Sequence, residues 1–123
     1  MTSPILLQIV VEGNTGSTGT IAEALGKTVI NHKWESYIAY GRLPRPSESK
    51  LIKIGNFFEI ALHGLETRIF DRHGLGSILG TLALIKKIKK IKPSIIHLHH
   101  IHGYYINIKI LFKYLNSVSI PVV

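Results

Sequence analysis

The chain has 123 residues, a formal net charge of +8 and a sequence pI near 9.9. Its 46% hydrophobic and 18% charged residues exclude a disordered segment and predict one compact domain over residues 1–123. The lack of cysteine excludes disulfides and thiolate chemistry, and the excess of basic residues favours anionic partners. No apolar run approaches the roughly 18 residues of a membrane span, and none has the basic start of a signal peptide. We therefore expect a cytoplasmic protein, which could also lie peripherally at the inner membrane face.

The first element is an apolar run followed by a turn rich in glycine. Ile5 to Val11 predicts a strand buried on both faces, as in parallel sheets. The turn GNTGSTG follows, and Thr20 and Glu23 have the spacing of a capping box, which predicts a helix from Thr20 to Asn31. Glycines and the free N–H groups of a helix start favour an anion such as phosphate. The alternative is an ordinary tight connection between strand and helix.

The rest of the chain alternates between predicted strands and helices. The further strands are Trp34–Tyr40, Leu51–Ile54, Ser94–His99 and Ile120–Val123, and the further helices are Asn56–Arg72, Ile78–Lys92 and Asn107–Asn116. A polar loop with two prolines is predicted for residues 41–50.

This alternation predicts an α/β fold, namely a Rossmann-like, doubly wound, mostly parallel sheet of about five strands with helices on both faces. In the common strand order, the first strand lies beside the fourth, and ligands bind at the carboxyl ends of these strands. The last predicted strand reaches the final residue without a turn or a polar tail, so we expect the chain to be one half of a larger protein.

A histidine-rich segment, HLHHIHGYY, ends the fourth predicted strand at residues 97–105. His97 and His99 alternate onto one face of the strand, which is a possible metal geometry, although no third ligand lies nearby in sequence. A second interpretation is a satisfied core histidine at position 97 with surface residues around it. A third is a polar ligand site, in which imidazoles bond to hydroxyl groups, tyrosines stack on a sugar or base, and one imidazole carries a proton.

A basic run ends the helix predicted before this strand. Four lysines, Lys86, Lys87, Lys89 and Lys90, flank an apolar stripe of Leu82, Ile85, Ile88 and Ile91. They are typical of a solvated face that complements the helix dipole. The alternative is attraction to an anionic membrane surface. Nucleic acid is not expected, because aromatic residues are not interleaved with the lysines.

Four segments, GNTGSTGTIAE, ESYIAYGR, FDRHG and KPSIIHLHHIHGYYINI, occur in this order. With them the chain resembles the N-terminal domain of a family 4 glycosyltransferase, of the type that builds bacterial surface polysaccharides. The resemblance implies a retaining enzyme of the two-domain GT-B fold, whose N-terminal half holds a saccharide or lipid-linked acceptor. It also implies that a C-terminal half binds the nucleotide sugar as co-substrate, with no metal and no other cofactor.

The resemblance assigns roles to two sets of residues. The loop near the donor diphosphate corresponds to Gly16, Ser17, Thr18 and Gly19. The cleft near the acceptor corresponds to His99, His100, His102, Gly103, Tyr104 and Tyr105, together with Tyr40 and Arg42 after the second strand.

Two departures from the family pattern limit what the resemblance implies. Thr20 stands where many relatives have arginine, and the family's histidine beyond the fifth strand is not part of this chain. We therefore assign no catalytic residue and expect the isolated chain to be inactive.

Two other classes stay open at the level of sequence. GNTGST also resembles the phosphate loop of a flavodoxin-like carrier of flavin mononucleotide, although such carriers are usually acidic. A non-catalytic binding module that self-associates through an exposed sheet edge is the other.

Overall fold

The computed structural model describes residues 3–14, 16–42, 45–54, 78–99 and 106–123. Within these ranges the elements are β1 (Ile5–Glu12), α1 (Gly16–Asn31), β2 (Glu35–Arg42), β3 (Lys50–Lys53), α2 (Ile78–Ile91), β4 (Ile95–Leu98) and α3 (Ile108–Asn116). The α/β class is therefore confirmed. The helix predicted for residues 56–72 lies outside the described residues.

The four described strands form one parallel sheet in the order β3-β2-β1-β4. Strand β1 lies between β2 and β4, and Leu6 is paired with Ile95. Beyond β4, Val122 forms a single parallel bridge with Ile96, at the position predicted for a fifth strand. This order agrees with the Rossmann arrangement, whereas flavodoxin-like sheets place the first strand between the second and the third.

The side chains of β1 divide between two apolar clusters, as the period of two in a strand requires. Leu7 belongs to the main cluster with Leu84 of α2 and Leu111 of α3. Val10 packs in a second cluster with Ala22 of α1. The apolar run that predicted β1 is thus buried on both faces. The five-stranded, doubly wound arrangement as a whole stays a prediction.

The predicted start of α1 is wrong, because the helix begins at Gly16 and not at Thr20. Thr20 lies inside the helix and its hydroxyl donates to the carbonyl oxygen of Gly16 at 2.6 Å. The carboxylate of Glu23 does not cap the helix; it accepts hydrogen bonds from Ser47 and Glu48 after β2. A capping-box spacing therefore occurs here within the helix.

The other boundaries differ by one or two residues. Gly41 and Arg42 belong to β2 and Lys50 belongs to β3, so the polar loop is shorter than predicted. Asn107 is the N-cap of α3, and its side-chain oxygen accepts from the N–H of Ile110 at 3.0 Å.

Candidate functional site

The structure brings the start of α1 and the end of β4 to the same end of the sheet. The two strands that precede them, β1 and β4, are parallel neighbours. The backbone N–H of His99 donates to the carbonyl oxygen of Ile9 at 3.0 Å, which continues this pairing beyond β4. Both predicted site segments therefore follow the carboxyl ends of adjacent strands.

The glycine turn is compact, and two of its backbone angles favour glycine. Asn14 has φ 53° and Gly16 has φ 70°. A Cβ atom on Gly19 would lie closer than 3.0 Å to the carbonyl oxygen of Glu12, so only glycine lets α1 approach β1 this closely. The residues predicted as a phosphate loop, Gly16 to Gly19, thus form the first turn of the helix.

A carboxylate already lies beside this helix start. The Oε2 atom of Glu12 would be 3.3 Å from a Cβ atom on Gly16. A negative charge there complements the partial positive charge of the helix N-terminus. A phosphate that approached the same turn would therefore face a charge of its own sign.

The turn is also tied to the segment that follows β2. The N–H of Arg45 donates to the carbonyl oxygen of Gly13 at 2.8 Å, and the side-chain amide of Asn14 donates to the carbonyl oxygen of Pro46 at 2.8 Å. These bonds connect Gly13 and Asn14 to residues 45–46.

His99 is connected to α1 through the side chain of Gln8, a fully buried residue of β1. The Oε1 atom of Gln8 lies 2.7 Å from Nε2 of His99. The Nε2 atom of Gln8 donates to the carbonyl oxygen of Ala22, also at 2.7 Å. The rings of His97 and His99 stack with centroids 4.1 Å apart. A polar chain thus runs from β4 through β1 to the second turn of α1.

Sequence reasoning missed the role of Gln8, because the prediction of β1 rested on the apolar residues around it. The signal was present, since a polar side chain in the middle of a buried strand requires hydrogen-bond partners.

The half-buried position of His99 keeps its imidazole neutral. Burial and the neighbouring His97 lower the pKa of His99 from 6.5 to about 4. The ring is therefore uncharged at neutral pH, where it can donate one hydrogen bond and accept another. A proton carrier needs a pKa near the working pH, so His99 does not fit that part of the polar-site interpretation.

The stability of the fold is expected to depend on pH through His99. The pKa is about 4 in the folded chain and 6.5 in the unfolded chain, so the unfolded chain binds the proton first as the pH falls. The contribution is fully present above pH 6.5 and is lost between pH 6.5 and 4. Because the ring is half exposed, we expect about 1 kcal/mol.

Urea unfolding of the wild type and of His99→Leu at pH 7 and pH 4 measures the contribution of His99 to the free energy of unfolding. The stability of the wild type relative to the variant should fall by about 1 kcal/mol at the lower pH. A difference that does not change with pH would contradict the lowered pKa.

Among the described residues, no group of three histidine, cysteine, aspartate or glutamate side chains could hold a metal ion. No helix in the described ranges is long and apolar enough to cross a membrane. No known protein family, curated protein or solved structure matches the chain. Its function is therefore inferred from sequence motifs and geometry.

The remaining predicted cleft residues are only partly described. Tyr40 is half-buried in β2 near Val10, with the Nζ of Lys53 5.5 Å from its ring centroid, and β1 separates it from β4. Arg42 pairs with Glu12 through the ends of their strands. His100, His102, Gly103, Tyr104 and Tyr105 lie outside the described residues.

The four lysines of α2 lie elsewhere. All four are exposed, and Lys87 and Lys90 line a groove of about 490 Å³ together with Ile5 and Glu35, the first residues of β1 and β2. This groove is at the amino end of the sheet, opposite His99. Within the predicted apolar stripe, Leu82 is 48% exposed whereas Ile85 and Ile88 are buried.

Proposed function

We propose that the chain is the acceptor-binding half of a retaining glycosyltransferase with the GT-B architecture. The complete enzyme would move a sugar from a nucleotide sugar to a saccharide or lipid-linked acceptor. The proposal rests on the resemblance of four sequence motifs to family 4 enzymes and on the geometry at the carboxyl ends of β1 and β4.

The observation that carries the proposal is the connection from His99 through Gln8 to Ala22. It joins His99, to which the resemblance assigns an acceptor contact, to the second turn of α1, the helix whose first turn corresponds to the donor loop. In Rossmann-like sheets, the carboxyl ends of adjacent strands at the topological switch point are where ligands bind. In the order β3-β2-β1-β4, β1 and β4 are adjacent parallel strands, which supports a ligand site at their carboxyl ends.

The chemistry of this site suits binding and orientation. A neutral imidazole at His99, with one nitrogen bonded to Gln8, can accept a hydrogen bond from a hydroxyl group, and hydroxyls are the main polar groups of a saccharide. The N–H groups at the start of α1 would face the diphosphate of a donor held by a second domain, and Glu12 would have to move from that turn or be paired by a cation. The contribution of this half is thus positioning.

The flavin alternative is not supported by a specific observation. The first strand lies between the second and the fourth, which differs from the flavodoxin-like order. The net charge of +8 also differs from the acidic character of such carriers.

Three further features belong to the proposal. They are a fifth strand that completes a doubly wound sheet, a C-terminal domain for the nucleotide sugar, and contact of the exposed lysines of α2 with anionic lipid at the inner membrane face.

Saccharide binding by the purified chain tests the proposal. Saturation-transfer NMR with glucose, galactose and N-acetylglucosamine should detect at least one ligand, and His99→Ala should weaken its binding by roughly tenfold, which is the value of one good hydrogen bond. His32→Ala is the matched control, because His32 is an exposed imidazole just beyond α1. Equal binding by both variants, or no binding of any sugar, would contradict the proposal.

A further inference from the structure

The amide of Gln8 can have only one orientation. Its partner in α1 is the carbonyl oxygen of Ala22, which accepts hydrogen bonds and cannot donate them, so the atom 2.7 Å away must be the NH₂ group. The Oε1 atom of Gln8 is then the atom that faces His99. The orientation follows from the chemistry of the partner in α1.

This orientation determines which nitrogen of His99 carries the proton. An amide oxygen only accepts, so the Nε2 atom of His99, 2.7 Å from it, must be the donor. In a neutral imidazole the other nitrogen, Nδ1, is then without a proton and can only accept. Within the described part of the chain, Nδ1 of His99 has no hydrogen-bond partner, and the ring is partly exposed.

The surroundings hold this form of the ring in place. Gln8 is fully buried and bonded at both ends, so it cannot rotate without breaking a hydrogen bond in a water-free environment. The ring of His97 stacks on the ring of His99, with an angle of 23° between them. The burial that lowers the pKa of His99 also disfavours a second proton on Nδ1.

We propose that Gln8 is a positioning residue that presents Nδ1 of His99 as a hydrogen-bond acceptor for a hydroxyl group of a bound saccharide. The choice of a saccharide rests on the proposed function, whereas the protonation of the ring does not. Gln8 itself touches no ligand in this account. It acts by selecting one of the two neutral forms of His99.

The chain contains a matched reference for this protonation. In His32, the Nδ1 atom lies 2.8 Å from the carbonyl oxygen of Thr28, so there the proton must be on Nδ1. The two histidines therefore donate through opposite nitrogens, Nε2 in His99 and Nδ1 in His32.

Long-range ¹H–¹⁵N NMR correlations of the ¹⁵N-labelled chain at neutral pH test the proposal. We expect the ring proton of His99 to be on Nε2 and to exchange slowly with water, and Nδ1 of His99 to carry no proton. In His32, any ring proton that is observed should include one on Nδ1. In Gln8→Leu the exchange of the His99 proton should accelerate roughly tenfold. Gln8→Glu, which keeps the size of the side chain and still offers His99 an oxygen that accepts, should keep the proton of His99 on Nε2.

The ligand is tested on the same samples with glucose, galactose and N-acetylglucosamine as probes. A sugar that binds should move the Nδ1 resonance of His99 and leave that of His32 in place. A proton on Nδ1 of His99 would overturn the role of Gln8. Sugar binding that changes the backbone amides of residues 16–19 and 97–99 without a change at Nδ1 would overturn the inference while the proposed function stands. If no sugar changes any resonance, both the ligand of this inference and the proposed function are contradicted.

Discussion

Replacing Gly19 by alanine is expected to lower the free energy of unfolding by about 2 to 3 kcal/mol. Helix propensity alone would predict the opposite, since alanine in a helix is about 1 kcal/mol better than glycine. The packing term wins because the new Cβ atom would lie closer than 3.0 Å to the carbonyl oxygen of Glu12 and 3.2 Å from the backbone nitrogen of Asn14. Both are backbone atoms, so no side-chain rotation relieves the overlap.

Urea unfolding followed by circular dichroism measures this loss. Gly16→Ala is the comparison within the same turn, because its Cβ atom would meet only a carboxylate oxygen, the Oε2 of Glu12, at 3.3 Å. That variant should cost about 1 kcal/mol, the usual penalty for a left-handed backbone at a residue other than glycine. A stabilised Gly19→Ala protein would show that α1 does not approach β1 as described.

Replacing Glu23 by alanine is the second change with a large expected effect, a loss of about 2 to 3 kcal/mol. The carboxylate is 95% buried, and it accepts hydrogen bonds from the hydroxyl of Ser47 and from the N–H of Glu48 at 3.0 Å. Without it, two partly buried donors lose their acceptor, and each loss costs on the order of 1 kcal/mol. The segment after β2 should then separate from α1.

Hydrogen exchange of the amide of residue 48 checks the local part of this prediction and should accelerate at least about tenfold in Glu23→Ala. Glu48→Ala is the control, because it removes an exposed carboxylate and keeps the N–H that Glu23 accepts. If the two variants have the same stability, Glu23 does not hold this segment.

The elements that depend on local patterns could be predicted from the sequence. The apolar run of β1 is buried as expected, and Asn107 caps α3 within one residue of the predicted start. The neighbouring positions of β1 and β4 followed from the general topology of such sheets. The sequence therefore predicted that the carboxyl ends of β1 and β4 lie side by side.

The contacts within the site could not be predicted, because they join residues that are distant in sequence. Gln8 and His99 are 91 positions apart, and Glu23 is 24 positions from Ser47. The start of α1 was missed for the same reason. The spacing of Thr20 and Glu23 fits a capping box, but Glu23 in fact accepts from Ser47 and Glu48, which are distant in sequence. Only the register of the sheet and the packing of α1 distinguish these possibilities.

The central claim is that the first turn of α1 and the end of β4 form one ligand site. The most direct measurement is a map of backbone amide chemical shifts in the ¹⁵N-labelled chain during titration with glucose, galactose and N-acetylglucosamine. We predict changes at residues 16–19 and 97–99 together, and smaller changes around Lys87 and Lys90 in the groove at the amino end of the sheet. Changes confined to that groove, or to only one of the two segments, would contradict the claim.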